Sequence, residues 1–314
     1  FEKVYNSSEQ KAEGGGKGKI FRKAAAVAGA HSKALDAGKV PLGLALQFAL
    51  FDRLVLSKIR AALGGRVKYA VSGSAPLGLF LGHFYRSLGL TILEGYGLTE
   101  TTAPITANVP SNFKIGKVGP PLPGCAVRLG ADGEIEAKGV NIFDGYWNNE
   151  KATKETFDGE WFKTGDIGTI DEDGYVEITG RKKEMIVTAG GKNVAPATLE
   201  DPIRSNPIIG QVVVVGDKRP FIGALISLDE EMLPVWLNNN GEDATMSVAE
   251  AAENPKVLAE IQSAIDRANS KVSRAESIRK FVILPHDLTE ASGHLTPKLS
   301  IKRHVILSDF ADTI

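Results

Sequence analysis

The stretch 94–102 contains the residues with the greatest chemical potential in this sequence. It follows an apolar run and reads Glu-Gly-Tyr-Gly-Leu-Thr-Glu-Thr-Thr. Gly95 and Gly97 allow the backbone to turn tightly, and Tyr96 between them offers a flat ring. Thr99 adds a hydroxyl group. The pattern predicts a strand-to-helix turn that carries groups suited to a nucleotide.

Glu100 distinguishes this stretch from a dinucleotide-binding loop. The third glycine of that fingerprint would fall at Glu100, where a carboxylate would repel a pyrophosphate. A carboxylate is instead a hard oxygen donor suited to Mg²⁺. The residues alone leave two interpretations open, a nucleotide and magnesium site or an ordinary turn capped by Thr99 and Glu100.

Two polar residues further along the chain could also contact a nucleotide. Asp166 follows Gly165 and could accept hydrogen bonds from two ribose hydroxyls, although an Asx turn would explain it equally. Arg181 offers a planar fork to ribose or phosphate, whereas Lys182 and Lys183 are interpreted as a solvated face.

The elements that must position these residues begin with two helices. The first, over 20–37, is basic and alanine-rich, and we expect it to be the more exposed of the two. The second, over 41–63, has apolar residues at helical spacing, and we expect it to be buried over a wide face. The glycine-rich run 14–19 lacks the spacing of a phosphate-binding loop and is interpreted as a linker.

A strand-helix-strand unit follows, with strands over 67–73 and 90–94 and a helix between them. Ligands of open α/β sheets bind beyond the carboxyl ends of the strands. The segments 72–76 and 95–102 are therefore the predicted site loops.

After Gly116 the sequence changes to short strands and tight turns. Asp-Gly pairs at 132–133 and 173–174 predict hairpins within a small β-barrel or twisted sheet. Beyond Arg181 the pattern is mixed, with predicted strands over 211–215, 221–228 and 281–284, and a helix capped by Asn254 and started by Pro255.

Composition excludes several classes of protein. The 314 residues include 37 Lys and Arg against 38 Asp and Glu, so no net charge favours nucleic acid. The single Cys125 cannot form an internal disulfide, and the scattered histidines do not predict a zinc site. With no signal-like start or long apolar span, we expect a cytoplasmic protein.

Five segments together resemble the adenylate-forming superfamily, which joins acyl-CoA synthetases, luciferases and the adenylation domains of peptide synthetases. They occur in the superfamily's order, and the flanking sequence is compatible with its long-chain fatty acyl branch. The segments are 72–77, 95–101, 133–139 with 145–148, 161–166, and 180–193.

The resemblance implies a role for each candidate residue. The fifth segment begins with Gly180 and Arg181. In this family the residue two positions after that arginine is the hinge of a mobile lid, which places the hinge at Lys183. Thr99 and Glu100 would be catalytic, with Glu100 as the Mg²⁺ ligand. The remaining assignments are Gly73, Ser74 and Ala75 to the adenine-side loop, Tyr96, Gly97 and Thr99 to the nucleotide, Asp166 to the ribose, Arg181 to ribose or phosphate, and Gly190 and Gly191 to the pantetheine arm of CoA.

The terminal motif of the family carries a lysine that clamps the acyl carboxylate and the α-phosphate. Aligned without gaps, that lysine falls on Ser300, and Lys298 and Lys302 lie two residues on either side. We favour Lys298 as the catalytic lysine, because Pro297 favours an extended loop there.

The implied fold is α/β, then a β-barrel, then an α+β lid. Residues 1–182 would form the C-terminal part of a large adenylation domain, with the barrel from about 116, and residues 183–314 a small lid domain. The family's phosphate loop, which ends in Pro-Lys-Gly, does not occur in this sequence. We therefore expect the C-terminal half of an enzyme, inactive or weakly active by itself.

The implied function is an ATP-dependent, AMP-forming ligase that joins a long-chain fatty acid to CoA through an acyl-adenylate, with Mg²⁺. Long-chain substrates partition into bilayers, which allows peripheral membrane contact. Two alternatives stay open: an adenylating enzyme for another carboxylic acid, and a nucleotide-binding or interaction module without catalysis. The oligomeric state does not follow from the sequence.

Overall fold

The computed structural model describes residues 1–297 and 300–314. The chain divides into two compact units, one made of Phe1 and Lys17–Lys183 and the other of Glu2–Gly16 and Glu184–Ile314. The domain limits expected from the sequence, 1–182 and 183–314, stay a prediction.

The α-helices of the described residues have the following bounds: α1 Glu2–Gly14, α2 Gly18–Asp36, α3 Leu42–Phe51, α4 Ser57–Ala62, α5 Leu79–Ser87, α6 Glu150–Thr156, α7 Pro196–Arg204, α8 Leu233–Asn239, α9 Val248–Glu253, α10 Pro255–Asn269 and α11 Arg303–Asp309. A π-helical turn, Asp52–Leu56, connects α3 to α4. The strands are β1 Tyr69–Ser72, β2 Thr91–Leu98, β3 Ala103–Ala107, β4 Cys125–Leu129, β5 Glu134–Gly139, β6 Phe157–Asp158, β7 Trp161–Ile170, β8 Val176–Arg181, β9 Ile186–Val187, β10 Asn193–Val194, β11 Ile209–Val215, β12 Ile222–Leu228 and β13 Ile278–Ile283.

The burial of α2 and α3 is the reverse of what the sequence predicts. α2 packs against α5, and its Phe21, Ala24 and Ala28 are at most 4% exposed. The apolar helix α3 has no fully buried residue among those described, and Leu46 is 65% exposed. The prediction was wrong because α2 packs against both α3 and α5, whereas α3 packs against α2 through one side that leaves Leu44 and Phe48 only half-buried.

The predicted strand-helix-strand unit is confirmed, but the turn that should end it is not. β1 and β2 are parallel neighbours, and β2 continues through the glycine stretch to Leu98. A 3-10 turn, Thr99–Thr101, then leads into the antiparallel strand β3. The stretch 94–102 is therefore part of a hairpin, not a strand-to-helix turn.

The β-rich part of the first unit is an antiparallel sheet of β4 to β8. β5 pairs with β4 and β7, and β7 also pairs with β6 and β8. Both Asp-Gly hairpins are confirmed: Gly133 turns between β4 and β5, and Gly174 turns between β7 and β8. Ile135, Phe162 and Val176 form the core of this sheet.

The second unit packs α7 and α10 against the sheet β11-β12-β13. The predicted cap of α10 is confirmed, since the side chain of Asn254 accepts hydrogen bonds from the amides of Lys256 and Val257. Helix α1, which covers the start of the predicted linker, packs on α8 in this unit. The observed architecture of α/β elements, a small antiparallel sheet and an α+β unit confirms the expected fold class.

Among the residues that the structure describes, none of the helices combines the length and apolar character needed to cross a membrane.

Candidate functional site

The two predicted site loops of the first unit lie side by side. Ser72 at the end of β1 pairs with Glu94 of the parallel strand β2, so the loop after β1 starts beside Gly95. A Cβ on Gly73 would lie 3.5 Å from the carbonyl oxygen of Gly95. Ser74 has a positive φ of 69°, which turns the exposed loop of Gly73, Ser74 and Ala75 sharply.

Three predicted residues from different strands meet at one carboxylate. Asp166 of β7 is 4% exposed, and its Oδ2 accepts a hydrogen bond of 2.6 Å from the hydroxyl of Tyr96. Nε of Arg181, on the neighbouring strand β8, lies 3.1 Å from the other carboxylate oxygen. Asp166 and Arg181 are direct register partners. The sequence placed these residues in separate motifs, and the tertiary structure brings them together.

The environment of Asp166 determines its ionisation. Burial raises the pKa of this carboxyl group, while the Tyr96 hydroxyl and the Arg181 guanidinium oppose the rise. Burial, followed by the nearby Asp166 charge, raises the pKa of Tyr96 as well, so its hydroxyl stays a proton donor. Each carboxylate oxygen has a second lone pair, which leaves Asp166 able to accept ligand hydroxyls.

Asp166 lies in a β-bulge of β7. The pairing of β5 with β7 shifts register between Glu134 and Glu136, opposite the segment 164–166. Gly165 in this segment has a φ of +76°, a conformation that residues with a Cβ rarely adopt. Bulges commonly reorient side chains beside binding sites.

Glu100, the expected metal ligand, is held by a residue that was not a candidate. The hydroxyl of Tyr146 donates a hydrogen bond of 2.9 Å to Oε1 of Glu100, and the amide of Phe143 donates to the Glu100 carbonyl. The half-buried carboxylate keeps its second oxygen for another contact. One carboxylate, together with the phosphates of a nucleotide, is a donor set that fits Mg²⁺.

The two other candidates in this stretch have different surroundings. Thr99 is exposed in the 3-10 turn, whereas the buried Thr101 makes the hydrogen bonds that hold the turn together. Gly97 lies in β2, where a Cβ would approach the carbonyl oxygen of Ala103 to 2.2 Å. Position 97 requires glycine because β3 approaches closely there, and not because the backbone turns.

Sequence reasoning also missed Glu134 as a connecting residue. Although it lies in an exposed-looking run of charged residues, it is 5% exposed, and its Oε1 accepts a hydrogen bond from the amide of Gly165. Its other oxygen, Oε2, lies 2.7 Å from Nζ of Lys182. No local sequence signal indicates this contact, because the partners come from three strands or their ends.

In the second unit, Gly190 and Gly191 form the predicted hairpin between β9 and β10. The amide of Gly191 donates to the carbonyl of Thr188 over 2.8 Å, and both glycines are exposed. Their expected role toward the pantetheine arm stays a prediction.

The terminal segment of the second unit contains the candidate lysines. Lys298 lies outside the described residues. Ser300 and Thr296 pair with each other, and the amide of Lys302 donates to the carbonyl of His294 over 2.8 Å. Lys302 is half-buried at the start of α11.

A buried ion pair anchors the residue after Lys302. Arg303 donates from Nη2 to both carboxylate oxygens of Glu200, each over 2.8 Å, and from Nη1 to the carbonyl of Val214. Burial raises the pKa of Glu200, and the Arg303 charge opposes that rise. This pair fixes the start of α11 to β11 and α7.

The described parts of the chain contain no cluster of three or more His, Cys, Asp or Glu side chains arranged to hold a metal ion. The first unit does bring together a buried hydrogen-bond acceptor at Asp166, a flat ring at Tyr96 and a partly exposed carboxylate at Glu100. This set can hold the ribose, the base and the metal-bound phosphates of a nucleotide.

Two family models match the sequence. The model described as AMP-binding enzyme matches residues 22–147, and the model described as AMP-binding enzyme C-terminal domain matches residues 183–314.

Curated relatives extend this match to the whole chain. The long-chain-fatty-acid–CoA ligase FadD15 of Mycobacterium bovis and that of Mycobacterium tuberculosis are each 55% identical over 314 residues, which is 100% of this chain and 52% of each relative. The long-chain-fatty-acid–CoA ligase ACSBG2 of Gallus gallus is 34% identical over 294 residues, covering 86% of this chain and 38% of that protein. The chain thus spans about half the length of the FadD15 relatives it matches.

Solved structures show the same fold. The adenylation domain of a carboxylate reductase from Mycobacterium chelonae aligns with a TM-score of 0.66 at 22% identity, over 93% of this chain and 44% of that one. An ATP-bound RpMatB-BxBclM chimera aligns with a TM-score of 0.60 at 28% identity, over 84% of this chain and 50% of that one. The two family models and the 55% identity to FadD15 over all 314 residues of this chain show that the chain belongs to the AMP-binding enzyme family.

Proposed function

We propose that this chain supplies the nucleotide site and the lid of an ATP-dependent ligase that joins a long-chain fatty acid to CoA through an acyl-adenylate. The observation that carries the proposal is the buried carboxylate of Asp166, held between Tyr96 and Arg181. A carboxylate kept in a fixed position by a donor on each oxygen is a preorganised acceptor for the two hydroxyls of a ribose.

The other residues of the first unit have complementary roles in this proposal. The exposed loop of Gly73, Ser74 and Ala75 lies beside β2 and would border the adenine. The Tyr96 ring would lie against the base. Glu100 would bind Mg²⁺, which neutralises phosphate charge when it is present. Tyr146 holds Glu100 in position for that contact.

Acyl-adenylate formation brings the fatty acid carboxylate to the α-phosphate of ATP and releases pyrophosphate. Because anionic groups must approach one another, positioning and positive charge account for most of the acceleration. A lysine of the terminal motif, with Lys298 preferred over Lys302, would supply that charge. The lid would then turn at Lys183, and the CoA thiol, guided along Gly190 and Gly191, would attack the adenylate and release AMP.

The names of the relatives support the acyl substrate. FadD15 and ACSBG2 are both long-chain-fatty-acid–CoA ligases, and the first is 55% identical to this chain. We assign the activity to a cytoplasmic protein, with peripheral membrane contact through its lipid substrate. An aryl or amino acid as substrate is the first alternative.

Nucleotide binding and catalysis can be tested separately. Calorimetric titration of the chain with AMP and with ATP–Mg²⁺ tests the site, and thermal shifts with acyl-adenylate analogues of increasing chain length test the substrate class. We expect AMP binding and stabilisation that grows with chain length. A chain that binds no adenine nucleotide contradicts the proposal, and equal shifts for aryl and long-chain analogues contradict the fatty acid assignment.

Exchange between ATP and pyrophosphate tests whether the chain catalyses adenylation by itself. We expect only weak fatty acid-dependent exchange, since the chain spans half the length of the FadD15 relatives and contains no Pro-Lys-Gly phosphate loop. Strong exchange would overturn this expectation.

A second candidate function is a nucleotide-binding module without catalysis. It is favoured by Ser300, which stands where the family places its catalytic lysine. In that case AMP would bind, but Ser300→Lys would be needed before any exchange activity appears.

A further inference from the structure

Glu134 forms a bridge between two segments that the proposed function uses for different purposes. One carboxylate oxygen accepts a hydrogen bond of 2.8 Å from the amide of Gly165, the residue before Asp166. The other lies 2.7 Å from Nζ of Lys182, the residue before the expected hinge at Lys183. A single side chain thus connects the ribose segment to the edge of the lid.

The carboxylate at the centre of this bridge is buried, and its cationic partner is partly exposed. The Glu134 side chain is 6% exposed, whereas that of Lys182 is 47% exposed. Asp132 also contacts Nζ of Lys182 over 2.6 Å, and these two carboxylates raise the pKa of Lys182, which therefore stays charged. Without Lys182 the buried carboxylate of Glu134 loses its charged hydrogen-bond partner, so it is held less firmly and its hydrogen bond to Gly165 weakens.

A second contact ties the same segment to β5. The hydroxyl of Thr164 donates to the carbonyl of Ile135 over 2.7 Å, and it accepts a hydrogen bond from the amide of Asp166 over 3.1 Å. The bulge 164–166 is therefore hydrogen-bonded to two adjacent residues of β5, Glu134 and Ile135. A displacement of this bulge moves Glu134 directly, because both contacts are short and belong to the same strand.

We infer that Glu134 is a positioning residue that transmits nucleotide occupancy from the Asp166 segment to the lid hinge through Lys182. This inference rests on the proposed nucleotide site. A ribose bound to Asp166 fixes the bulge, the fixed bulge holds Glu134, and Glu134 holds Lys182 against the sheet. The expected hinge residue Lys183 follows directly, in the 3-10 helix Lys182–Glu184. Loss of the nucleotide releases this restraint in the reverse order.

Amide hydrogen exchange measured on the whole chain tests the bridge from its far end. We expect Lys182→Met to accelerate exchange of the Gly165 amide about fivefold or more without any nucleotide, as expected for the loss of about 1 kcal/mol of hydrogen-bond free energy. Lys182→Arg, which keeps the charge, should restore most of the protection. The matched control is Lys138→Met, because it removes an exposed ion pair with Glu160 from the same strand β5 without touching Glu134.

A second measurement adds AMP. In the unmodified chain AMP should slow exchange across residues 180–184. In Lys182→Met and Glu134→Gln this slowing should disappear, and AMP should still bind, with its affinity lowered by about the factor by which the slowing is lost. Equal Gly165 exchange in Lys182→Met and Lys138→Met overturns the bridge. AMP-induced slowing that survives in both variants, or is missing from the unmodified chain that binds AMP, overturns the transmission.

Failure of the proposed nucleotide site has a different signature. A chain that binds no AMP contradicts the proposed function and the transmission with it. The exchange of Gly165 needs no nucleotide, so it still decides whether Lys182 supports the ribose segment through Glu134.

Discussion

The hydroxyl of Tyr96 and the carboxylate of Asp166 are joined by a hydrogen bond of 2.6 Å, although 70 positions separate them in the sequence. Both side chains are more than nine-tenths buried. The contact joins the sheet of β1 to β3 to the sheet of β4 to β8 at the residues that the sequence assigned to base and ribose. Its geometry makes Asp166 the first residue to test.

Asp166→Asn should lower AMP affinity about 10- to 100-fold, since a charged acceptor contributes about 1.5–3 kcal/mol to its hydrogen bonds. The free energy of unfolding at neutral pH should change by less than about 1 kcal/mol or increase. Burial raises the pKa of Asp166 in the folded chain, so its ionisation opposes folding as pH rises from the unfolded to the folded pKa value. Calorimetric titration and urea unfolding measure the two effects.

The same shift predicts a pH dependence of nucleotide binding. AMP affinity of the unmodified chain should fall as pH decreases through the raised pKa of Asp166, because protonation removes the charged acceptor. The Asp166→Asn variant should lack this dependence. An identical pH profile in both proteins would show that another group controls binding.

Tyr146→Phe should weaken the Mg²⁺ dependence of ATP binding, because it removes the hydroxyl that holds Glu100. We expect the apparent Mg²⁺ affinity to fall about fivefold, which corresponds to about 1 kcal/mol for one hydrogen bond. AMP binding without metal should be unchanged. Trp147→Phe is the control, since the neighbouring Trp147 is 91% exposed. A loss of AMP binding in Tyr146→Phe would instead indicate a change in the fold of the site.

Arg303→Ala should destabilise the second unit by about 3–5 kcal/mol at neutral pH, because it leaves the buried carboxylate of Glu200 without its charged partner. The loss should be smaller at mildly acidic pH. Burial already raises the pKa of Glu200 above its unfolded value, and loss of Arg303 raises it further, so Glu200 becomes neutral as pH falls. Urea unfolding at the two pH values measures this difference.

The double variant Glu200→Gln with Arg303→Met serves as the control for that prediction. It removes both charges and should recover much of the stability lost in Arg303→Ala. A double variant as unstable as the single one would attribute the loss to packing, and not to the unpaired charge.

Leu46→Gln should change the free energy of unfolding by less than about 0.5 kcal/mol, since this side chain of α3 is 65% exposed. Leu56→Ala should cost about 2–5 kcal/mol, because Leu56 is 0% exposed. Chemical unfolding of both variants measures the contrast. Similar losses in the two variants would show that Leu46 is buried, as the sequence predicts for the helix over 41–63.

Local signals predicted the elements whose cause is local. Asn254 before Pro255 predicted the start of α10, and Asp-Gly at 132–133 predicted the turn between β4 and β5. Caps and tight turns depend on the conformation of a few consecutive residues, which those residues themselves favour. The glycines of β2 were misinterpreted because close approach of another strand also requires glycine, and the sequence does not reveal that strand.

By itself, the sequence determined the family resemblance, the order of the motifs and most of the described strands. Only the tertiary structure decided that α2 and not α3 is buried, that Tyr96 and Arg181 share Asp166, and that Glu134 connects Gly165 to Lys182. Burial and ion pairing depend on which side chain lies across the contact. That partner is set by the pairing of distant strands and helices, so the spacing of residues along the chain does not contain it.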